Sequence, residues 1–403
     1  MAARTAGASA ARRGGADVGG ARFEKIAPIA KAPFAGLRVL ITADAVGGVW
    51  QYSVELARGL AALGVEPLIA TLGPSPSADQ LASLGPSIRV IDTGLALDWL
   101  AEDAAAVRKT GQAVADIAER EGADVVQLNS PALAAEARFA MPVVAVQHSC
   151  VASWWEAVRG TALPEDFAWR TGLVRAGLLA ADKVVAPTAA FAEATRRLYD
   201  LPETPGAVHN GRTPLKLPDG APHDFVFTAG RLWDEGKNLA TLDAAAAGIA
   251  VPVHAAGPVR GPNGTAVEFE TIHCLGTLGE AEIGRWLAAK PVFASAALYE
   301  PFGLAVLEAA AAGCPLVLSD IPTFRELWDG AATFVDPRDA AGFTAAISNI
   351  VGNDFLRGAL GRAARERAAR YTPQAMSARM AAIYGELLSG VQAPAHSAAK
   401  AVA

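Results

Sequence analysis

Long apolar runs are missing from this chain. No stretch of 18 or more consecutive apolar residues occurs in its 403 positions, so no segment is suited to crossing a bilayer as a helix. Cysteine is scarce too. Cys150, Cys274 and Cys314 are far apart and odd in number. They fit neither a disulfide framework nor a zinc site and point to a reducing compartment, the cytoplasm. Positive charge is not in excess: 35 Lys and Arg face 41 Asp and Glu, a net charge of −6. With no long basic block either, nucleic acid is not an expected partner. The N-terminal MAARTAGASAARRGGADVGG lacks the continuous apolar core of a secretory signal. Residues 1–35 and 391–403 offer almost no large apolar side chains and read as disordered tails.

Core-forming residues are plentiful. Apolar types make up 52 % of the chain, and its length fits two to three domains. From Gly36 onward, short strand-like runs (LRVLITA, VEPLIATL, SIRVID, ADVVQL, PVVAVQH, DKVVAPT) alternate with amphipathic helical stretches. Each run is nearly continuous in apolar character, as a parallel sheet covered on both faces requires. The alternation stops at 211–223, GRTPLKLPDGAPH, which reads as a linker between domains. It then resumes with DFVFTAGR, VPVHAAG, TIHCLG, PVFASAA, CPLVLSD and AATFVD. Helical segments are predicted at 49–63, 238–247, 279–289, 303–313 and 373–389. The pattern predicts an α/β protein of two doubly wound, Rossmann-like domains facing across a cleft, over 36–210 and 224–372.

The segment Glu300-Pro301-Phe302-Gly303-Leu304-Ala305-Val306-Leu307-Glu308 follows a predicted strand and opens a predicted helix. Amide groups near Phe302, Gly303 and Leu304 at such a helix start have no intrahelical acceptor, and the helix dipole favours an anion there. Glu300 and Glu308 flank that point and can accept hydrogen bonds from sugar hydroxyls. Taken singly, each glutamate is as well explained by solvation or by the helix dipole. The Pro-Phe-Gly turn between them favours the anion site.

A second cluster, Gly230 to Asn238, follows the first strand of the second domain. Arg231 and Lys237 can converge on one anion there, or be two surface cations. The cluster is one residue off the P-loop spacing, and Asn238 stands where that motif needs Ser or Thr, so a P-loop is rejected. Gly47 and Gly48 follow the first strand, where missing side chains suit either a ligand or a tight turn. His148 ends the strand PVVAV and can donate to a substrate hydroxyl or accept a proton; a structural hydrogen bond is the competing role. No histidine pair has metal-ligand spacing, and no GxSxG elbow occurs, which leaves serine hydrolysis without residues to run it.

Together these segments resemble glycosyltransferase family 4, a group of retaining transferases with the GT-B fold. The resemblance covers roughly residues 37–389, and its most specific part is the E-x7-E pair Glu300 and Glu308. It implies that Arg231 and Lys237 bind a donor diphosphate, that the backbone of Phe302, Gly303 and Leu304 holds phosphate, and that Glu308 binds the ribose. It further implies Glu300 against the transferred sugar, Gly47 and Gly48 facing donor phosphate and acceptor, and His148 near the reacting carbon. The first domain would then take the acceptor and the second the nucleotide sugar, with a final helix, 373–390, crossing back to the first. No metal or other cofactor is expected: the nucleotide-diphosphate sugar is a co-substrate, and the acceptor is a carbohydrate, a lipid-linked molecule or a small molecule. Related readings are a sugar phosphorylase-like enzyme of the same fold and a non-catalytic nucleotide-sugar binder. Two positions depart from the pattern: Asn238, where many relatives carry Gly, and Val46, where some carry Lys. Trp154, Trp155, Trp169, Arg170 and Arg175 offer aromatic and basic groups to a membrane surface. Their helical spacing is equally that of a core, and the acidic balance gives no pull toward anionic lipid.

Overall fold

The apolar runs of the first half become parallel strands. In the computed structural model, which describes residues 34–85, 87–219, 223–262 and 264–391, these are β1 (Arg38–Asp44), β2 (Glu66–Leu72), β3 (Arg89–Leu95), β4 (Val125–Leu128), β5 (Val143–Val146), β6 (Lys183–Ala186) and β7 (Gly206–Ala207). Their order is β3-β2-β1-β4-β5-β6-β7, every neighbouring pair parallel. The second sheet holds β8 (Val226–Ala229), β9 (Val253–Ala256), β10 (His273–Cys274), β11 (Val292–Ser295), β12 (Leu316–Ser319) and β13 (Thr333–Val335), again parallel, in the order β10-β9-β8-β11-β12-β13. Both orders reverse beside the first strand of their sheet, which opens a crevice at the strands' carboxyl ends.

Burial explains the patterning. Every residue of β4, β5 and β12 is buried, because helices cover both faces. Around the first sheet one cluster gathers Leu40, Leu68, Val126 and Leu128, and another gathers Val39, Ile41, Val144 and Val185. The second sheet is flanked in the same way by clusters around Phe293 and Trp328 and around Val292 and Phe343. Fully burying one such side chain stabilises by about 1.5–3 kcal/mol, so these layers dominate the fold's energetics.

Two segments behave differently from the sequence-based expectation. Phe34 and Ala35, assigned to the N-terminal tail, form a turn, and Phe34 packs on the cluster around Val39. The rest of the head, residues 1–33, lies outside the described residues, as do 392–403. The 211–223 segment has no regular structure over 211–219, but its first residues are no exposed tether: Gly211 and Arg212 are buried. The last helix, Pro373–Val391, lies against the helix Gly48–Ala62, and its Met376, Met380 and Tyr384 fill the cluster around Val39. The chain therefore passes between the two sheets twice, near 210–213 and near 371–373. These passages touch: the Arg212 amide donates to the Tyr371 carbonyl at 3.2 Å, and a Cβ on Gly211 would stand 2.2 Å from the Thr372 carbonyl.

Candidate active site

At the carboxyl end of β8 the chain turns through Gly230 and Arg231 into a short 3-10 turn, Glu235–Lys237. Asp234 shapes this loop. Its Oδ1 accepts from the Gly236 amide at 2.9 Å and its Oδ2 from Arg231 at 2.8 Å. Burial alone would raise the Asp234 carboxyl; Arg231, the Trp154 indole N–H, Lys237 and the Gly236 amide together hold it below the usual range. The Gly236 carbonyl accepts from the amides of Leu298 and Tyr299 at 2.9 and 3.1 Å, joining this loop to the one after β11. Lys237 then forms an ion pair with Glu300.

That second loop leads into the helix Leu304–Ala312. The Glu300 carbonyl accepts from Thr323 Oγ1 at 2.7 Å. Phe302 is anchored in the core edge-on to Tyr371, so it offers the site only backbone. Gly303 precedes the helix at φ +90°, a conformation that favours glycine, and no side chain caps the helix start. The first-turn amides are thus left for an anion beside Glu300 and Lys237.

The first sheet supplies the opposing wall. A Cβ on Gly47 would lie 3.8 Å from Arg231 Nη1, and one on Gly48 would lie 3.7 Å from Leu304 Cδ1. The glycine pair therefore faces both the arginine and the helix start, and larger residues there would narrow the cleft. Deeper in, Asn129 donates to the Thr42 carbonyl (2.7 Å) and to Ser53 Oγ (3.0 Å), which leaves its Oδ1 to accept from His148 Nε2 at 3.1 Å. This network puts the imidazole proton on Nε2. Burial pushes His148 down to about 3, so the ring is neutral at physiological pH.

This carries a pH dependence. In the unfolded chain the ring titrates near 6.5, and in the fold near 3. Between those values the unfolded state binds the extra proton, so the His148 contribution is present above pH 6.5 and is lost as the pH falls toward 3. His148→Gln is expected to narrow the gap between melting temperatures measured at about pH 7 and about pH 4. An unchanged gap would show that the ring carries no such penalty.

Bonds across the cleft tie the walls together. Trp154 Nε1 donates to Asp234 Oδ1 at 2.9 Å, and Arg159 pairs with Glu235 at 2.8 Å. Ser153 Oγ and Tyr299 Oη are 2.8 Å apart, and Thr188 Oγ1 donates to the Pro301 carbonyl at 3.1 Å. The aromatic and basic residues considered for a membrane surface are used internally: Trp155 bonds Thr161, Trp169 packs on the first core under the Arg170 guanidinium, and Arg170 and Arg175 donate to backbone carbonyls.

Of the residues singled out in the sequence, Gly47, Gly48, Arg231, Lys237, Glu300, Gly303 and Leu304 meet at this one place. His148 bonds within the first-sheet network, to Asn129, and packs edge-on to Tyr52. Glu308 lies a helical turn further in, where Arg212 Nε donates to its Oε1 at 2.7 Å. Burial pushes the Glu308 carboxyl up and Arg212 opposes that shift. Asp234, Asn129 and Arg212 were given no role by the sequence reading, and Trp154 was considered there only for a membrane surface. Asp234 alone had a local signal, since it lies three residues after Arg231.

Among the described residues, no helix is long and apolar enough to cross a membrane and no group of three or more His, Cys, Asp or Glu could hold a metal ion. The model for Glycosyltransferase Family 4 matches residues 46–213, and that for Glycosyl transferases group 1 matches residues 223–353. The chain is 46 % identical over 71 residues to a glycogen synthase of Mycobacterium tuberculosis, a stretch that is 17 % of each protein. It is 28 % identical to a D-inositol 3-phosphate glycosyltransferase of Streptomyces scabiei, over 85 % of this chain and 87 % of that one. Among solved structures, sucrose-phosphate synthase from Thermosynechococcus elongatus shares the fold with a TM-score of 0.72 at 20 % identity, covering 88 % of this chain and all of that one.

Proposed function

Because this chain belongs to the glycosyltransferases of family 4 and group 1, we propose that it moves a sugar from a nucleotide-diphosphate sugar to an acceptor hydroxyl, with retained anomeric configuration and without a metal ion. The observation that carries this reading is the meeting of Arg231, Lys237 and the uncapped start of the helix Leu304–Ala312 beneath Gly47 and Gly48. Three sources of positive potential converge where a diphosphate would lie. At about 4 Å in a partly exposed site, each unit-charge contact is worth about 4 kcal/mol.

In this reading the bond from the anomeric carbon to the diphosphate oxygen breaks, and Arg231, Lys237 and the helix amides take up the growing negative charge. The acceptor oxygen bonds to the same face of that carbon and passes its proton to the departing phosphate. Glu300, held by Lys237 and by the anchored loop, accepts from hydroxyls of the transferred sugar. Glu308 accepts from the ribose. Neutral His148 supplies hydrogen bonding near the reacting carbon and no charge. The acceptor, a carbohydrate, lipid-linked or small molecule, enters from the first-sheet side, and the work is done in the cytoplasm.

A thermal-shift panel of ADP-, GDP- and UDP-hexoses tests the reading. A donor at about a hundredfold its Kd stabilises the fold by about 2.7 kcal/mol. At least one is expected to raise the melting temperature and, with acceptor present, to release nucleoside diphosphate. A shift with sugar 1-phosphate and phosphate alone would replace this reading with a phosphorylase. Binding with no release for any acceptor class would replace it with a non-catalytic binder.

A further inference from the structure

Arg212 lies in the passage that leaves the first sheet, in a segment whose sequence reads as a tether, yet its side chain is 5 % exposed. Each guanidinium nitrogen meets a different carboxylate: Nε meets Glu308, Nη1 meets Glu55 and Nη2 meets Glu280, all at 2.7 Å. Glu55 is on the helix that begins at Gly48, and Glu280 opens the helix Glu280–Ala288. Thr213 adds two more donors to Glu55, its amide at 3.1 Å and its hydroxyl at 2.7 Å. Three carboxylates on one guanidinium leave two negative charges in excess, an arrangement that chain crossing alone does not require.

We propose that Arg212 is a positioning residue for the donor site, holding Glu308 Oε1 so that Oε2 is presented to the ribose hydroxyls. The proposal rests on the donor reading given above. Oε2 has no protein partner among the described residues. Burial pushes the Glu308 carboxyl up, and the adjoining Arg212 guanidinium opposes that shift and favours the carboxylate. Glu55 locks the arginine in turn, so ribose recognition in the second lobe is braced against the first.

Removing Arg212 alone would strand Glu55, so the decisive variant is the double substitution Glu55→Gln/Arg212→Gln, in which residue 55 still accepts from Thr213. Arg212→Lys, which keeps the charge, is the conservative companion. The readout is the ratio of Kd values for ribo- and 2′-deoxyribonucleoside diphosphate, using whichever of ADP, GDP and UDP binds the wild type. Melting temperatures are recorded in parallel. A hydrogen bond to a charged group is worth about tenfold or more in affinity, so the wild type is expected to favour the ribonucleotide by about that factor. In the double variant the ratio is expected to fall to about one, and in Arg212→Lys to an intermediate value. A purely structural role would move melting temperature and leave the ratio alone. A wild-type ratio retained in both variants overturns the proposal, as does a wild type with no ribose preference. If none of the three nucleotides binds the wild type, the donor reading falls first and takes this inference with it.

Discussion

Replacing Lys237 by Ala is expected to lower kcat by about 10²–10³-fold, the usual effect of deleting one group that stabilises developing charge. The lysine stands at the carboxyl end of β8, paired with Glu300 and beside the start of the helix Leu304–Ala312. Its substitution removes one of two side-chain cations at the leaving diphosphate and also frees Glu300, the carboxylate nearest the proposed sugar position. Both losses act on the transition state, so kcat falls more than donor affinity. Because the two side chains are only 19 % and 17 % exposed, freeing Glu300 is also expected to cost some stability, so the comparison is made below the variant's melting range. Steady-state kinetics together with a melting curve check this. Unchanged turnover in a folded variant would remove Lys237 from the mechanism.

The second large effect is expected at Gly257, which follows β9 at φ +141°. A Cβ there would stand 1.7 Å from the Gly230 carbonyl oxygen. The two turns are laced together: Gly230 donates to the Ala256 carbonyl at 3.0 Å, and Leu232 to that of Pro258 at 3.0 Å. Neither can retreat cheaply. Gly257→Ala therefore combines overpacking, about 1–3 kcal/mol, with an unfavourable backbone conformation, about 1–3 kcal/mol. It also displaces Gly230 and, with it, Arg231. Gly330→Ala is the matched control, at φ +76° with no atom within 4 Å of its Cβ. Urea unfolding should show a loss of about 2–6 kcal/mol for Gly257→Ala, a much smaller one for the control, and lowered activity only for the former. Equal losses would mean that close approach to Gly230 contributes nothing.

Much of this was legible because it is local. Strands covered on both faces need continuous apolar runs, and twelve such runs became strands in two parallel sheets. β7 was invisible because Gly206 and Ala207 form no apolar run. Around the site, Arg231, Lys237, Glu300 and Gly303 lie in two short segments, each a turn following a strand, so their meeting follows from sheet order. Arg212 could not be found that way. Its partners are residues 55, 280 and 308, brought together only when both sheets are assembled, and its Gly- and Pro-rich neighbourhood carries the composition of a flexible connection. The bond from Trp154 to Asp234 was hidden for the same reason: it joins residues that share no element.

The paired passages of the chain have a mechanical consequence. The peptide near Gly211 lies directly on that near Thr372, stitched by the bond from Arg212 to Tyr371, and the Gly211 amide reaches Met376 Sδ at 3.2 Å. Two passages of backbone joined in this way would resist sliding of one sheet past the other more than a swing about their common line. Under the proposed function, donor entry and nucleotide release would share that swing. On the same reading, such a swing would have to part the bonds across the walls, from Trp154 to Asp234, Arg159 to Glu235, Ser153 to Tyr299 and Thr188 to Pro301.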